Sequence, residues 1–379
     1  MPKAHKIQLR RRWEGESNRQ ASHIAANPPA YSPLDLHGRQ IRILRLLPAT
    51  SLNDPIHCAL YTAYLHDRPN YEALSYAWGD PAVRQEIFVN GRATKVTVNL
   101  VAALRRLRRR RCDRHLWADA LCINQADTTE KSHQVNLMKE IYSSTTRALL
   151  WLGDFARPRS NPSSAAMTSK DVGLAFDFLK RLAADGCSDL DENLAELTLA
   201  IDGLDRLVNL PWWKRIWTVQ EAVLPKQAVI VCGTKQLPLS TLLAAGLNSK
   251  MNNIVVDDCI YINDFWNVSS PIRYLRNSSG APGLAAFALS TFRDRKASDP
   301  RDNVFALLGL GSSIVADYSL PSEQVFVRCV RTLIADSGGL VPLLRLPEPE
   351  LNRSPTLPTW VPDFRVHVSL GGRTGDQIS

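Results

Sequence analysis

No apolar run among the 379 residues approaches the roughly 18 that a membrane-spanning helix needs, so a spanning segment is excluded and a soluble chain is expected. The start, "MPKAHKIQLRRRWEGES", has no apolar signal-peptide core, and Glu14 and Glu16 weigh against a mitochondrial presequence. A cytoplasmic chain with reduced thiols follows. Its seven cysteines, at 58, 112, 122, 187, 232, 259 and 329, contain no Cys-x-x-Cys and stand beside no histidine at ligand spacing, so no metal is expected. Neither a Gly-x-Ser-x-Gly elbow nor a phosphate-cradling glycine loop occurs, which removes support for hydrolase and nucleotide triphosphatase readings. There is no internal repeat.

What is present suits a globular protein: 45% apolar and 22% charged residues, and a length that predicts two or three folding units at about 100 to 200 residues each. The net charge of +9 is uneven, because residues 1–114 hold 20 Lys/Arg against 9 Asp/Glu. The densest stretch, "LRRLRRRRCDR" from Leu104, continues an amphipathic pattern through Leu100, Ala103, Leu104 and Leu107, with Asn99 as the expected N-cap. Without stacking aromatics or a groove-reading motif the arginines read as a solvated helix end, and a nucleic-acid partner is not expected.

Between residues 36 and 155 strand and helix patterns alternate. "GRQIRILRLLP" and "YEALSYAW" read as strands, and "QEIFVNGRATKVTV" reads as a hairpin turning at Asn90-Gly91. "HLWADALCI" predicts a strand ending near Asp119, "KSHQVNLMKEIYSS" a helix packed through Val135, Leu137, Met138, Ile141 and Tyr142, and "RALLWLG" a strand covered on both faces. If "LWADA" and "RALLWL" are neighbouring parallel strands, residues 131–143 cross the sheet between them. The pattern is α/β with a mostly parallel sheet. Ligands of such sheets sit beyond the carboxyl ends of the strands. There Ser75 is the one hydroxyl on a small-residue strand face, Trp78 ends the bulky face of the same strand, and Asp119, Asn124, Gln125 and Glu130 crowd one connection.

Two roles stay open for Glu130. Asp127-Thr128-Thr129-Glu130 has the form of a capping box, with Asp127 at the N-cap and Glu130 at N3 reaching back to a backbone amide. Alternatively the carboxylate acts on a ligand. Cys122, in an apolar strand end, reads as an inert small hydrophobe despite His115 and His133 nearby.

Beyond a Pro/Ser-rich break at 156–170 the chain reads as mainly helical to about 345. "PWWKRIWTVQEAVL" sets Trp213 and Trp217 four apart on one helix face, a core signature. In "SDPRDNVFALLGLG", Asp299, Pro300 and Gly309 supply N-cap, N1 and C′ positions, with Arg301 and Asp302 on an exposed first turn.

The stretches "YEALSYAWGDP", "LWADALCINQADTTEKSHQVNLMKEIYSSTTRALLWLG", "PWWKRIWTVQEAVL", "DPRDNVFALLGL" with "DYS", and "LPTWVPDF" resemble, in order, the motifs of the fungal heterokaryon incompatibility (HET) domain proteins. They span residues 71–364. Lys131 stands where the family more often has Arg, and Phe364 where it often has Trp. Many relatives continue further, which implies a longer C-terminal region. Composition and the Pro/Ser-rich break then divide the chain into a flexible basic arm at 1–35, a HET core at 36–155, a linker at 156–170, a mainly helical region at 171–345 and a tail at 346–379. The resemblance further implies a role in fungal non-self recognition that triggers programmed cell death, protein partners of an incompatibility system, and a capacity for self-association. Through the family's distant similarity to TIR domains it implies a flavodoxin-like topology and two modes of action. In one, Glu130 cleaves NAD+ as substrate, with Ser75, Trp78, Asp119, Asn124 and Gln125 binding it and no cofactor. In the other, the domain is non-catalytic and acts by assembly.

Overall fold

The computed structural model describes residues 31–155, 167–185, 194–251, 261–281, 283–340 and 354–365. Most of the arm, linker and tail expected from sequence lies outside these residues. Among them, one nine-stranded sheet organises the fold, in the order β5-β4-β2-β1-β6-β3-β7-β8-β9. The strands are β1 (Gln40–Leu46), β2 (His57–Tyr64), β3 (Glu72–Tyr76), β4 (Arg84–Val89), β5 (Arg92–Thr97), β6 (Arg114–Trp117), β7 (Arg147–Gly153), β8 (Ala228–Cys232) and β9 (Lys235–Pro238).

The parallel character expected of the sheet holds in its centre, where β6, β3, β7 and β8 run together. Outside that block only β2 and β4 are parallel; β1 with β2, β1 with β6, β4 with β5 and β8 with β9 are antiparallel, so the sheet is mixed. The α/β class stands. Strand β3 separates two strands expected to be neighbours, for Glu72 pairs with Leu116 of β6 on one side and with Arg147 of β7 on the other. All five β3 residues are buried, as a central strand covered on both faces requires. The helix Thr128–Ser144 therefore leads from β6 past β3 to β7.

The hairpin forms as its sequence requires. Asn90 and Gly91 both take positive φ, 50° and 79°, the pair of left-handed residues that a two-residue turn between twisted strands needs. Strands β2, β8 and β9 are missing from the sequence expectations. The last two come from the region expected to be mainly helical, yet they extend the same sheet from β7.

The helix Val98–Leu107 buries Leu100, Val101, Ala103, Leu104 and Leu107, as its periodicity predicts. Its N-cap is Thr97 instead of Asn99. Asn99 turns inward, donating to the Ala77 carbonyl (2.6 Å) and accepting from Trp151 Nε1 (2.9 Å), and so pins the end of β3 to the helix and to β7. The helix ends at Leu107, so the arginines after it serve separate tasks. Arg108 donates to carbonyls of Ser51, Leu52, Asp54 and Pro55, while buried Arg114 forks onto Glu72 of β3. Arg109, Arg110 and Arg111 are exposed.

Candidate functional site

Strand β6 stops at Trp117, two residues earlier than expected, because the chain turns at Ala118 into the short helix Asp119–Cys122. That turn aims the Asp119 carboxylate back towards the end of β3. Its Oδ2 accepts from Trp78 Nε1 (2.8 Å) and from Arg215 (2.9 Å), and Arg215 also donates to the Tyr76 carbonyl (2.6 Å). The Arg215 guanidinium lies 5.5 Å from the Trp78 ring centre. Asp119 in turn raises the pKa of Arg215, offsetting the opposite pull of burial. Charge, indole and strand end are thus locked in one unit.

This unit forms one wall of a cleft of about 670 Å³ at the carboxyl ends of β3 and β6. Ile123, Val135 and Met138 supply apolar lining, and Gln125 stands at the rim with its amide on the Asp119 carbonyl (3.0 Å). The facing side comes from much later in the chain: Lys214, Trp217, Lys296, Asp299, Asp302 and Tyr318. Asp302 was expected on an exposed first turn but is buried, because its Oδ2 accepts from Trp217 Nε1 (3.0 Å) and its Oδ1 from the Tyr318 hydroxyl (2.5 Å). Burial raises its pKa, and these hydrogen bonds oppose the rise. Lys131 stands 4.0 Å from the Tyr318 ring centre. Asp299 is occupied by Arg301, which also donates to the carbonyls of Tyr318 and Leu320.

Of the six residues singled out by sequence, Trp78, Asp119 and Gln125 line the cleft. Ser75 lies beneath it, fully buried, accepting from Trp212 Nε1 (2.8 Å) and donating to Glu221 Oε2 (2.5 Å). Asn124 contributes its backbone amide to Glu130 Oε1 (2.7 Å). Glu130 itself is buried outside the cleft lining and takes a two-pronged contact from Arg42 at 2.5 and 2.9 Å. The backbone amide it reaches back to is that of Asn124, not that of the N-cap residue. The capping is done by Asp127 alone, which accepts from the amides of Thr129 and Glu130 (both 3.0 Å). Cys122 sits in a helical turn and not at a strand end; burial pushes its thiol up to about 12.

Residues 71–221 match the family described as Heterokaryon incompatibility protein (HET). The chain is also 33% identical, over 418 aligned residues, to heterokaryon incompatibility protein 6, OR allele, of Neurospora crassa. This is a HET-domain protein. The alignment takes in 87% of this chain and 58% of that relative, so the chain spans less than two thirds of the relative's length. No solved structure matches it.

In this HET-domain protein all the motif stretches but "LPTWVPDF" meet around one cleft. "SYAWGDP" gives Trp78 and Gly79, "LWADALCINQ" Asp119 and Gln125, "PWWKRIWTVQEAV" Lys214, Arg215 and Trp217, "SDPRD" Asp299 and Asp302, and "DYS" Tyr318. The later motifs thus reach back across the cleft to complete it. Trp213 and Trp217 belong to different segments, Pro211–Lys214 and the turn before Thr218–Val223. Trp213 serves the core and Trp217 the cleft. Arg42, Lys131, Arg215, Glu221 and Tyr318 were missed by sequence reasoning. Two carried a readable signal: Arg42 is in phase with Leu44 and Leu46 on one strand face, and Arg215 is flanked by tryptophans in an apolar stretch. Among the described residues no group of three or more His, Cys, Asp or Glu is placed to hold a metal ion, and no helix is long and apolar enough to cross a membrane.

Proposed function

We propose that this HET-domain protein acts in fungal incompatibility, with the cleft bounded by Trp78, Asp119, Arg215 and Tyr318 as its working site and growth arrest or cell death as its output. The observation that carries the reading is the convergence of five separate chain segments on that cleft. Such convergence of polar groups on an apolar-floored concavity is the usual form of a ligand site.

The chemistry favours recognition over cleavage. A TIR-like attack on the glycosidic bond of NAD+ needs a carboxylate free to stabilise a cationic sugar. Glu130 is committed to Arg42, Asp119 to Arg215 and Trp78, and Asp302 to Trp217 and Tyr318. In this reading the domain senses a ligand or partner through the cleft and signals by assembly.

Expression in a filamentous fungal host tests the reading. Gln125 is an exposed rim residue, so Gln125→Trp fills the cleft mouth without disturbing the core. This variant should accumulate normally and fail to arrest growth. Arrest at the parental level would refute the cleft as working site. Incubation of the purified protein with NAD+ should release no nicotinamide; release that disappears in a Glu130→Gln variant still folded at the assay temperature would establish the cleavage mechanism instead.

A further inference from the structure

The charges of the cleft do not balance, and the imbalance has one location. Each of its three carboxylates has a cationic neighbour: Asp119 has Arg215, Asp299 has Arg301, and Asp302 has the field of Lys131, which also rests on Tyr318. Two ammonium groups remain. Lys214 and Lys296 line the same cleft, are exposed, and form no ion pair among the described residues.

Their proximity is fixed by the backbone. The Lys296 amide donates to the Lys214 carbonyl (2.6 Å), the Ile216 amide donates to the Lys296 carbonyl (3.0 Å), and Arg215 and Lys296 form a parallel bridge. Two ammonium groups carried on adjacent backbone at one cleft, with no carboxylate partner among the described residues, are stabilised when an anion joins them. Beside them the Trp78 ring is 37% exposed in a protein that buries Trp117, Trp151 and Trp212 completely. Its indole N–H is already used on Asp119, so what it offers a ligand is ring surface.

We infer that the cleft binds a small ring-bearing phosphate ester, its phosphate held between Lys214 and Lys296 and its ring laid against Trp78 and the apolar lining. This rests on the cleft being the working site. A volume of about 670 Å³ is that of a small-molecule pocket. The two cations left over are both lysines, compact point charges that suit a tetrahedral dianion, whereas the planar fork that would select a carboxylate, Arg215, is spent on Asp119.

Calorimetric titration of the full chain with adenosine 5′-monophosphate and phenyl phosphate, against adenosine and inorganic phosphate as half-ligands, tests the inference. At least one ester should bind ten or more times tighter than its half-ligands, and more weakly as salt is raised. The double variant Lys214→Ala/Lys296→Ala should lose at least tenfold in ester affinity while melting no lower than the parent, since removal of adjacent like charges relieves repulsion. Trp78→Phe, which keeps a ring, should retain more affinity than Trp78→Ala. Failure of both esters to bind, binding no tighter than that of the uncharged ring, or unchanged affinity in the double variant each overturns the ligand class. Those failures leave the functional reading standing if Gln125→Trp still abolishes growth arrest, and the two ideas are thereby separated.

Discussion

Arg42 and Glu130 face each other inside the protein as a two-pronged ion pair, Nη1 to Oε1 at 2.5 Å and Nη2 to Oε2 at 2.9 Å, with side-chain exposures of 3% and 6%. The pair joins β1 to the first turn of the helix Thr128–Ser144, and the Arg42 guanidinium also holds the carbonyls of Cys122 and Ser32. Tyr31 covers it, 4.6 Å from ring centre to guanidinium carbon. One carboxylate therefore ties the first turn of the helix to β1, closes the Asn124 turn and, through Arg42, holds the chain before β1.

Removing one partner strands a buried charge. Arg42→Ala and Glu130→Gln should each destabilise the protein by about 3–5 kcal/mol, whereas the paired change Arg42→Met/Glu130→Leu should recover most of that loss. Denaturant melts of the three variants check this. Glu130→Gln melting within about 1 kcal/mol of the parent would mean that the pair is not structural.

Ser75 supplies a second separation of structure from binding. Its hydroxyl accepts from Trp212 and donates to Glu221, with no exposed surface. Ser75→Ala leaves a buried indole N–H and a buried carboxyl each short of a partner, at a cost of about 2–3 kcal/mol. Ligand affinity at the cleft, measured well below the melting temperature, should be unchanged. A Ser75→Ala variant of normal stability and lost binding would place the hydroxyl in the site.

Gly309 was expected to end a helix as its C′ residue, but the left-handed residue there is Gly311, φ 105°. Gly309 is needed for closeness. A Cβ at this position would come within 2.7 Å of Gln220 Oε1 and 3.0 Å of Leu224 Cδ1, where its segment packs on the helix Thr218–Val223. Gly309→Ala should cost about 1–3 kcal/mol by overpacking, read as a lowered melting temperature, while Gly339→Ala, with open space around it, should not.

These cases show what was legible in the sequence. Period-two and period-3.6 patterns carried β1, β3, the Asn90-Gly91 hairpin, β7 and the helix Thr128–Ser144, because each buries its own face and announces it locally. The half of the site built near β3 and β6 was legible for the same reason: strand ends are local, and Trp78, Asp119 and Gln125 follow them. Pairing order was not, since nothing in "LWADA" or "RALLWL" states that β3 runs between them. Nor was the far wall, because Lys214, Asp302 and Tyr318 reach the cleft from distant stretches whose own patterns speak only of helices and tryptophan packing. Arg42 was hidden by a habit of reading charge as surface; its burial is decided by Glu130, 88 positions away.

Glu221 gives the protein a pH dependence of definite sign. The side chain is buried behind the cleft near Arg215 and Asp119, and receives a hydrogen bond from Ser75. Burial raises its pKa from an ordinary 4.5 to about 7, with Arg215 pulling the other way and Asp119 adding to the rise. An acid whose pKa is higher in the folded chain than in the unfolded one keeps its proton on folding over the interval between the two values. Its contribution to stability is complete below pH 4.5 and is lost as pH rises through about 7. Stability should therefore decline between about pH 5 and pH 8. Glu221→Gln keeps an acceptor for the Ser75 hydroxyl and removes the titration, so its stability should fall less across that range, with buried Asp302, also raised, left to supply the remainder. Chemical denaturation at pH 5, 6, 7 and 8 reads the difference: the variant should gain on the parent steadily as pH rises. Parallel profiles for the two proteins would show that Glu221 is ionised throughout, held so by Arg215, and that the buried chain from Trp212 through Ser75 ends on a carboxylate at every pH in that range.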